Sequence, residues 1–433
     1  DLGEAEGGRT DLARALDAAL DRTAARSVAG VVVISDGRST SGVESEALDE
    51  VRARGIPIFS VPLGARGSTR DVTLTAEAPG RAFASDAVPV QVRLEQVADE
   101  TVATQSVSVQ LIDELTGEVL DEREVASEGS RSTLTLVGTP AEAGVQRWRV
   151  EMDAGAGDLV TENNTQQVQI EVLDEPLRVV YLDGTPRWEH RYLKNLLLRE
   201  ESITSSSLLL GERRRYTQEG NIALVALPAS PEEWAEIDVV VLGDVQPELI
   251  GDETMAQLRD HVSSRGAGLV WIGGATATPH AYRGTPLASL LPFATSTAST
   301  GTMPTWSESV TLMRLSGADA RGVLRLGDSA AEPWPDQLSD PMTGWSRLWG
   351  VQFIEPSLLK PAAVVLAEAR PASGEASEGS ATPAVVTMRY GAGRVVYLAT
   401  DETWRWRYGL VDLLFDRFWL PVIRMSGLQS VAM

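Results

Sequence analysis

One pentapeptide occurs twice in this chain. Arg178-Val-Val-Tyr-Leu182 and Arg394-Val-Val-Tyr-Leu398 are identical, and each short apolar run stops against acidic or turn-forming residues, Asp183-Gly184 after the first and Asp401-Glu402 after the second. An apolar run of strand length that ends in Asp or Gly and gives way to an amphipathic run, here Glu189 to Leu198, predicts a buried parallel strand, a sharp turn and a helix. Val239-Val-Val-Leu-Gly-Asp244 and Gly268-Leu-Val-Trp-Ile-Gly-Gly274 repeat the pattern. In an open α/β sheet, ligands sit beyond the carboxyl ends of the strands. If the four strands are neighbours, one candidate crevice collects Asp183, Arg187, Asp244, Gly273, Gly274, Asp401, Glu402 and Arg405.

At 433 residues the chain is expected to hold two to four domains. Its net charge of −23, from 61 acidic against 38 basic residues, argues against nucleic acid or anionic lipid as a partner. It has no cysteine, which removes disulfides, thiolate metal sites and cysteine nucleophiles. No apolar run reaches the roughly 18–20 residues needed to span a bilayer. The chain starts at Asp1 inside a folding unit and is expected to be a piece of a longer protein, with any targeting segment upstream.

Residues 1–68 read as helix, strand, helix, strand. Thr10 or Asp11 caps a helix to Leu20, Val28 to Ser35 is a β-branched strand closed by Asp36-Gly37, Glu44 to Arg54 is a second helix, and Ile56 to Gly64 is a strand. That order predicts a parallel sheet. Gly-Arg-Thr10-Asp-Leu, Val-Ile-Ser-Asp36-Gly37 and Gly-Ile-Pro-Ile-Phe-Ser-Val together resemble the second half of a von Willebrand factor A domain. The resemblance implies Mg²⁺ ligands at Thr10 and Asp36, completed by an Asp-x-Ser-x-Ser turn that should precede Thr10 and is absent from this chain. Thr10 and Asp36 are therefore a partial metal site. Mg²⁺ is a cofactor only if a longer protein supplies the missing turn. The structural alternative is a helix cap and a turn residue.

Residues 69–174 alternate apolar and polar positions in Val88 to Leu94, Val107 to Ile112, Ser132 to Val137, Gln146 to Met152 and Gln167 to Val172, with turns at Leu115-Thr-Gly117 and Glu162-Asn-Asn164. Short alternating strands at this spacing predict an antiparallel Ig-like β-sandwich. The run Asp158 to Asn164 resembles bacterial Ig-like modules linked to cell adhesion. Trp148 is expected in the core, and the module reads as a spacer or docking unit.

Residues 175–433 hold ten of the 11 tryptophans. Strands near Val179, Ile222, Val239, Leu269, Ala363, Ala384 and Val395 alternate with helices near Tyr192, Glu253 and Leu410, which predicts a doubly wound α/β domain. Residues 294–356 break the alternation and read as an insertion or lid, Ala372 to Thr382 as a surface loop, and Arg213-Arg-Arg215 as a solvated face.

This part resembles the class I glutamine amidotransferase superfamily. It is most similar to the amidotransferase-like domain that follows von Willebrand A segments in large envelope proteins of planctomycetes and similar bacteria. The residues that carry the resemblance are Asp183-Gly-Thr-Pro-Arg-Trp-Glu189, Gly266 to Gly274, Gly284 to Pro292 and Gly391 to Tyr408. Active members place a Cys on the strand-to-helix elbow, with His and Glu after a late strand. Here the elbow reads Gly273-Gly-Ala-Thr-Ala-Thr278, and the late strand ends in Thr400-Asp401-Glu402. The three histidines are His190, His261 and His280, and the remaining catalytic arrangement is Thr276 or Thr278 with His280. Trp404-Arg-Trp-Arg-Tyr408 either stacks a ligand or forms core aromatics beside ion-paired arginines. Asp183, Asp401 and Glu402 either bind a divalent ion or pair with Arg187, Arg405 and Arg407.

The combined reading is a non-catalytic recognition or scaffolding protein with protein partners. The resemblance places it in the bacterial cell envelope, membrane-anchored only through segments outside this chain. The alternatives are a hydrolase or amidase with a non-cysteine nucleophile and, if the metal turn exists, a metal-dependent adhesion receptor.

Overall fold

The computed structural model describes residues 12–22, 28–35, 51–52, 55–63, 70–84, 86–98, 106–126, 131–154, 158, 160–211, 216–224, 226–295, 308–327, 332–340, 342–372 and 381–430. Thr10, Asp36, Arg213 to Arg215 and most of the 372–382 loop lie outside the described residues. The chain divides into two compact units, with the main division at Thr69 and Arg70.

In the first unit, helix α1 (Leu12–Arg22) precedes strands β1 (Val31–Ser35) and β2 (Ile58–Pro62), which pair in parallel with Val31 opposite Ile58. Leu16 and Val51 are buried, with Val31 and Ile56 packed against them.

The second unit begins with a sandwich. Its smaller sheet is antiparallel and contains β3 (Arg70–Glu77), β5 (Val88–Ala98) and β8 (Arg131–Gly138) in the order β3-β5-β8. The larger sheet contains β4 (Arg81–Phe83), β6 (Ser106–Asp113), β7 (Val119–Ala126), β9 (Gly144–Asp153) and β10 (Thr165–Leu173) in the order β4-β10-β9-β6-β7. Only the short β4 runs parallel to its neighbour. Alternating residues Val90, Val92, Val107, Val109, Leu111, Val150 and Ile170 fill the space between the sheets around Trp148. The Asp158–Asn164 run is a tie. Asp158 accepts from the Val72 amide (3.0 Å) and the Asn164 side chain (2.7 Å), and Asp71 accepts from the Val160 amide (3.1 Å).

The rest of the unit is built on a nine-stranded sheet. Its strands are β11 (Leu177–Asp183), β12 (Ile203–Leu210), β13 (Tyr216–Gly220), β14 (Val239–Leu242), β15 (Gly268–Ile272), β16 (Val310–Arg314), β17 (Ala363–Pro371), β18 (Thr382–Tyr390) and β19 (Gly393–Leu398). The order is β13-β12-β11-β14-β15-β19-β18-β17-β16. Strands β12, β11, β14, β15 and β19 are mutually parallel, β13 pairs antiparallel with β12, and β18, β17 and β16 follow β19 as an antiparallel meander. The four strands singled out by their sequence pattern, β11, β14, β15 and β19, are consecutive. The sheet is thus mixed rather than parallel throughout.

Helix α2 (Trp188–Arg199) packs on β11 and β12, α3 (Asp252–Arg265) against β19, and α4 (Leu413–Gly427) against β14, β15 and β19. Helix α3 ends at Gly266, whose φ of +77° is the left-handed conformation that closes a helix without a Cβ penalty. Among the described residues no helix is long and apolar enough to cross a membrane.

Two expectations are corrected, and one strand was not anticipated. Ile222 is not in a strand; the strand beside it is β13, which ends at Gly220. The unanticipated strand is β12, whose apolar ends are split by Ser205-Ser-Ser207, all buried; Ser206 Oγ accepts from Gln218 Nε2 (3.3 Å) and Ser207 Oγ is 3.0 Å from His190 Nε2. The described part of 294–356 is not a lid. It supplies the sheet's last strand, and Leu312, Val323, Leu326, Leu348, Val351 and Ile354 belong to the main core. Outside β16, its core residues are scattered among serines, threonines and prolines.

Candidate functional site

Strand β11 enters the sheet first, β12 lies on one side of it and β14 on the other, so the direction of winding switches between β11 and β14. At such a point two loops leave in opposite directions and open a crevice. Asp183 ends β11 there and is fully buried. Its Oδ1 accepts from the amides of Gly184 (2.9 Å) and Asp244 (3.2 Å), and its Oδ2 accepts from Tyr181 Oη (3.0 Å) and Arg187 Nη2 (2.8 Å). Arg187 also donates through Nη1 to Asp401 Oδ2 at 2.7 Å, which joins the ends of β11 and β19. Burial opposes the charge on Arg187, but Asp183 and Asp401 outweigh it and hold the guanidinium protonated. Of the two readings left open for these acids, the arginine takes the space between Asp183 and Asp401. Among the described residues no group of three or more acidic or histidine side chains is placed to hold a metal ion.

Asp244 does something the sequence did not suggest. Its Oδ2 accepts from the Thr276 amide (2.8 Å) and hydroxyl (2.7 Å), and its Oδ1 from the amides of Ala277 (2.7 Å) and Thr278 (2.8 Å). Successive amides pointing into one concavity form an anion cradle, and here the chain's own carboxylate fills it. Burial raises the Asp244 pKa, yet these donors prevail and hold it below the ordinary value. The close approach requires glycine: a Cβ on Gly274 would lie 2.1 Å from Asp244 Cγ, and one on Gly273 2.5 Å from Gln352 Oε1. Gln352 closes the elbow from the far side. Its amide nitrogen donates to the carbonyls of Gly274 (2.8 Å) and Thr278 (2.7 Å), and its oxygen accepts from Tyr397 Oη. The Thr278 hydroxyl donates to the Gly243 carbonyl at 2.8 Å. Both threonine hydroxyls of the alternative catalytic arrangement are thus bound to groups other than His280.

Glu402 and Arg405 form a neighbouring cluster. Arg405 Nη2 is 3.0 Å from Glu402 Oε1, and Glu402 Oε2 accepts from the amides of Trp349 and Gly350. Arg407 pairs with Asp412, away from the crevice acids. Behind them Glu189, in the first turn of α2, is fully buried. It accepts from the Thr403 hydroxyl, the Trp404 amide (3.0 Å) and Trp419 Nε1 (3.0 Å), and burial, against those donors, pushes its carboxyl up to about 7. The signal for Glu189 was present in the sequence, since it shares the buried stripe of Leu193, Leu196 and Leu197 at helical spacing.

The Trp404–Tyr408 run divides between the two readings given for it. Trp406 is core. Trp404 is half-buried against the core beside the exposed Trp188, their rings 5.9 Å apart, and Trp188 stacks on Tyr192 at 5.9 Å. Arg405 lies over Trp404 (4.8 Å) and Arg191 over Trp188 (5.5 Å). Trp188, Trp349 and Tyr408 remain 52%, 54% and 71% exposed.

No protein-family model matches the sequence, and no curated protein does. Several solved structures are similar over part of it. The CARDB domain of a Pyrococcus furiosus protein, solved in complex with di-metal ions, is 17% identical, with 25% of this chain and 97% of that one covered and a TM-score of 0.22. A domain of a Methanosarcina acetivorans protein named as a cell surface protein is 19% identical, with 25% and 95% covered and a TM-score of 0.20. A Paenibacillus cycloisomaltooligosaccharide glucanotransferase is 10% identical, with 48% and 39% covered and a TM-score of 0.20. Similarity at this level assigns neither a family nor an activity.

Proposed function

We propose that this chain is a non-catalytic recognition protein of the bacterial cell envelope, whose α/β domain is an amidotransferase-like fold adapted to hold a protein partner. The observation that carries the reading is the filled amide cradle. Acyl-transfer chemistry needs backbone donors aimed at the oxyanion that forms in the transition state. The amides of Thr276, Ala277 and Thr278 are all bound to Asp244. A nucleophile also needs a base within hydrogen-bond reach, and the Thr276 and Thr278 hydroxyls donate to Asp244 and the Gly243 carbonyl.

The same region offers exposed Trp188, Trp349 and Tyr408, with Arg191 over Trp188 and Arg405 over Trp404. Tryptophan, tyrosine and arginine dominate the binding energy of protein interfaces. Val411 is 73% exposed and sits at a φ of +54°, a conformation that β-branched residues rarely adopt. Such strain clusters at binding surfaces. The first unit, with its helix and parallel strand pair, is read as von Willebrand A-like, and the sandwich as the spacer between the two. Anchorage to the membrane would need segments outside this chain, and Mg²⁺ at Thr10 and Asp36 would need the Asp-x-Ser-x-Ser turn that the sequence given does not contain.

The test is twofold. The full chain incubated with glutamine and simple amides is expected to release no ammonia. Ammonia release that Thr276→Ala with Thr278→Ala abolishes would replace this reading with the hydrolase one. Trp188→Ala with Tyr408→Ala is expected to leave folding intact and to remove capture of a specific envelope protein by the immobilised chain. Unchanged capture would move the partner surface elsewhere.

A further inference from the structure

At the amino ends of the parallel strands, opposite the crevice, the sandwich meets the α/β sheet. The contact is intimate: Arg424 of α4 pairs with Asp86 of the sandwich at 2.7 Å, and a Cβ on Gly322 would lie 2.2 Å from the Ala87 carbonyl oxygen. Beside it lies a cleft of about 480 Å³, lined by Pro79, Gly80 and Pro89 of the sandwich and by Arg321, Arg394 and Gln429. We propose that this cleft binds a small oxyanion, held by the guanidinium groups of Arg394 and Arg321.

The argument rests on charge placement. Arg394 is the second residue of β19 and stands directly opposite Arg389 in the antiparallel pair with β18. Like charges facing each other across a strand pair repel. The other charge acting on Arg394 is Arg321, so both charges that shift it are cationic. Burial, then Arg321 and Arg389, push the Arg394 pKa down to about 10. A third arginine of the lining, Arg81, pairs with Glu171 at 2.7 Å. Among the described residues Arg321 and Arg394 are not ion-paired: Arg321 donates through Nη1 to the Gly317 carbonyl (3.0 Å), and the Nε atoms of both are buried without an acceptor. Arginines elsewhere on this acidic chain, such as Arg187, Arg199 and Arg424, have found carboxylates.

Two guanidinium groups lining one partly enclosed cleft offer charge-assisted donors to a phosphate, sulfate or carboxylate. The volume is within the range of small-ligand sites. A bound oxyanion neutralises the repulsion and bridges sandwich to sheet, so occupancy stiffens the seam between them.

The experiment is thermal unfolding of the full chain at neutral pH and fixed ionic strength, with chloride replaced stepwise by inorganic phosphate, sulfate or citrate. The wild type is expected to show a saturable rise in melting temperature with at least one of them. Arg394→Gln and Arg321→Gln are each expected to weaken the apparent affinity at least tenfold. In chloride alone, Arg394→Gln is expected to melt no lower than wild type, because it removes an unpaired buried charge. A response to phosphate and sulfate defines a tetrahedral oxyanion. A response to citrate alone defines a carboxylate, such as a partner's acidic side chain. The proposal fails if no oxyanion gives a saturable shift, or if both variants respond as wild type does.

Discussion

Replacing Glu189 by Gln should remove a pH dependence that can be calculated from its surroundings. Glu189 has no exposed surface, and its carboxyl is raised from 4.5 to about 7, with burial as the leading cause. A carboxyl whose folded pKa lies above its unfolded one contributes stability that is fully present below pH 4.5. That stability is lost as pH rises through the folded value near 7. At about 1.4 kcal/mol per unit, the shift corresponds to roughly 3 kcal/mol over the whole window, with about 2 to 3 kcal/mol of it between pH 5 and pH 8. Glutamine cannot ionise. It keeps one oxygen for Trp419 and Thr403 but presents an amide group to the Trp404 N–H, so its absolute stability shifts by an amount that does not matter to the test. What matters is the slope. Urea unfolding of both proteins from pH 5 to pH 8 should show the wild type losing about 2 to 3 kcal/mol more than Glu189→Gln across that range. Parallel curves, or a wild type that gains on the variant as pH rises, would refute the assignment of a buried, proton-binding Glu189. Asp86, pushed up to about 6 by burial with Arg424 opposing, changes stability in the same direction in both proteins and cancels from the comparison.

Two further outcomes are expected. Gly274→Ala should destabilise the fold by about 2 kcal/mol or more, because overpacking against Asp244 has no room to relax. The control Gly344→Ala, whose Cβ would meet nothing within 4 Å, should change it by less than about 0.5 kcal/mol, and equal effects in urea melts would show that the elbow is looser than described. Arg424→Met should cost about 2 to 3 kcal/mol at neutral pH by leaving Asp86 and the partly exposed Glu200 without their cation, and a loss below about 1 kcal/mol would mean that the seam does not depend on this cluster.

The parallel centre of the sheet was legible because its strands are apolar runs cut off by Asp or Gly, a pattern set by local chemistry. The convergence of Asp183 and Asp401 was legible for the same reason, since strand ends share an edge. The partners of those acids were only half legible. Arg187 lies four residues from Asp183 and could be read as its partner, whereas Asp401 reaches it across 214 positions in the chain. The filling of the amide cradle by Asp244 was hidden because it depends on two glycines letting one loop sit on another. Gln352 was hidden because its segment shows no periodicity. Strand β12 was hidden by its serines, whose burial is tolerable only once His190 and Gln218 are in place to bond them.

The place of β19 between β15 and β18 governs the order in which this chain can be assembled during synthesis. Residues 177–272 can form one half-sheet, ending in β15, and residues 310–390 an antiparallel meander, ending in β18. Neither half pairs with the other until Gly393–Leu398 slides between them. Until then Gly268–Ile272, buried along its whole length in the finished fold, is an apolar edge with no charged residue to discourage a neighbouring chain from adding to it. The copied pentapeptide at Arg394 is therefore a keystone delivered late, and the ribosome must carry two incomplete half-sheets until it arrives.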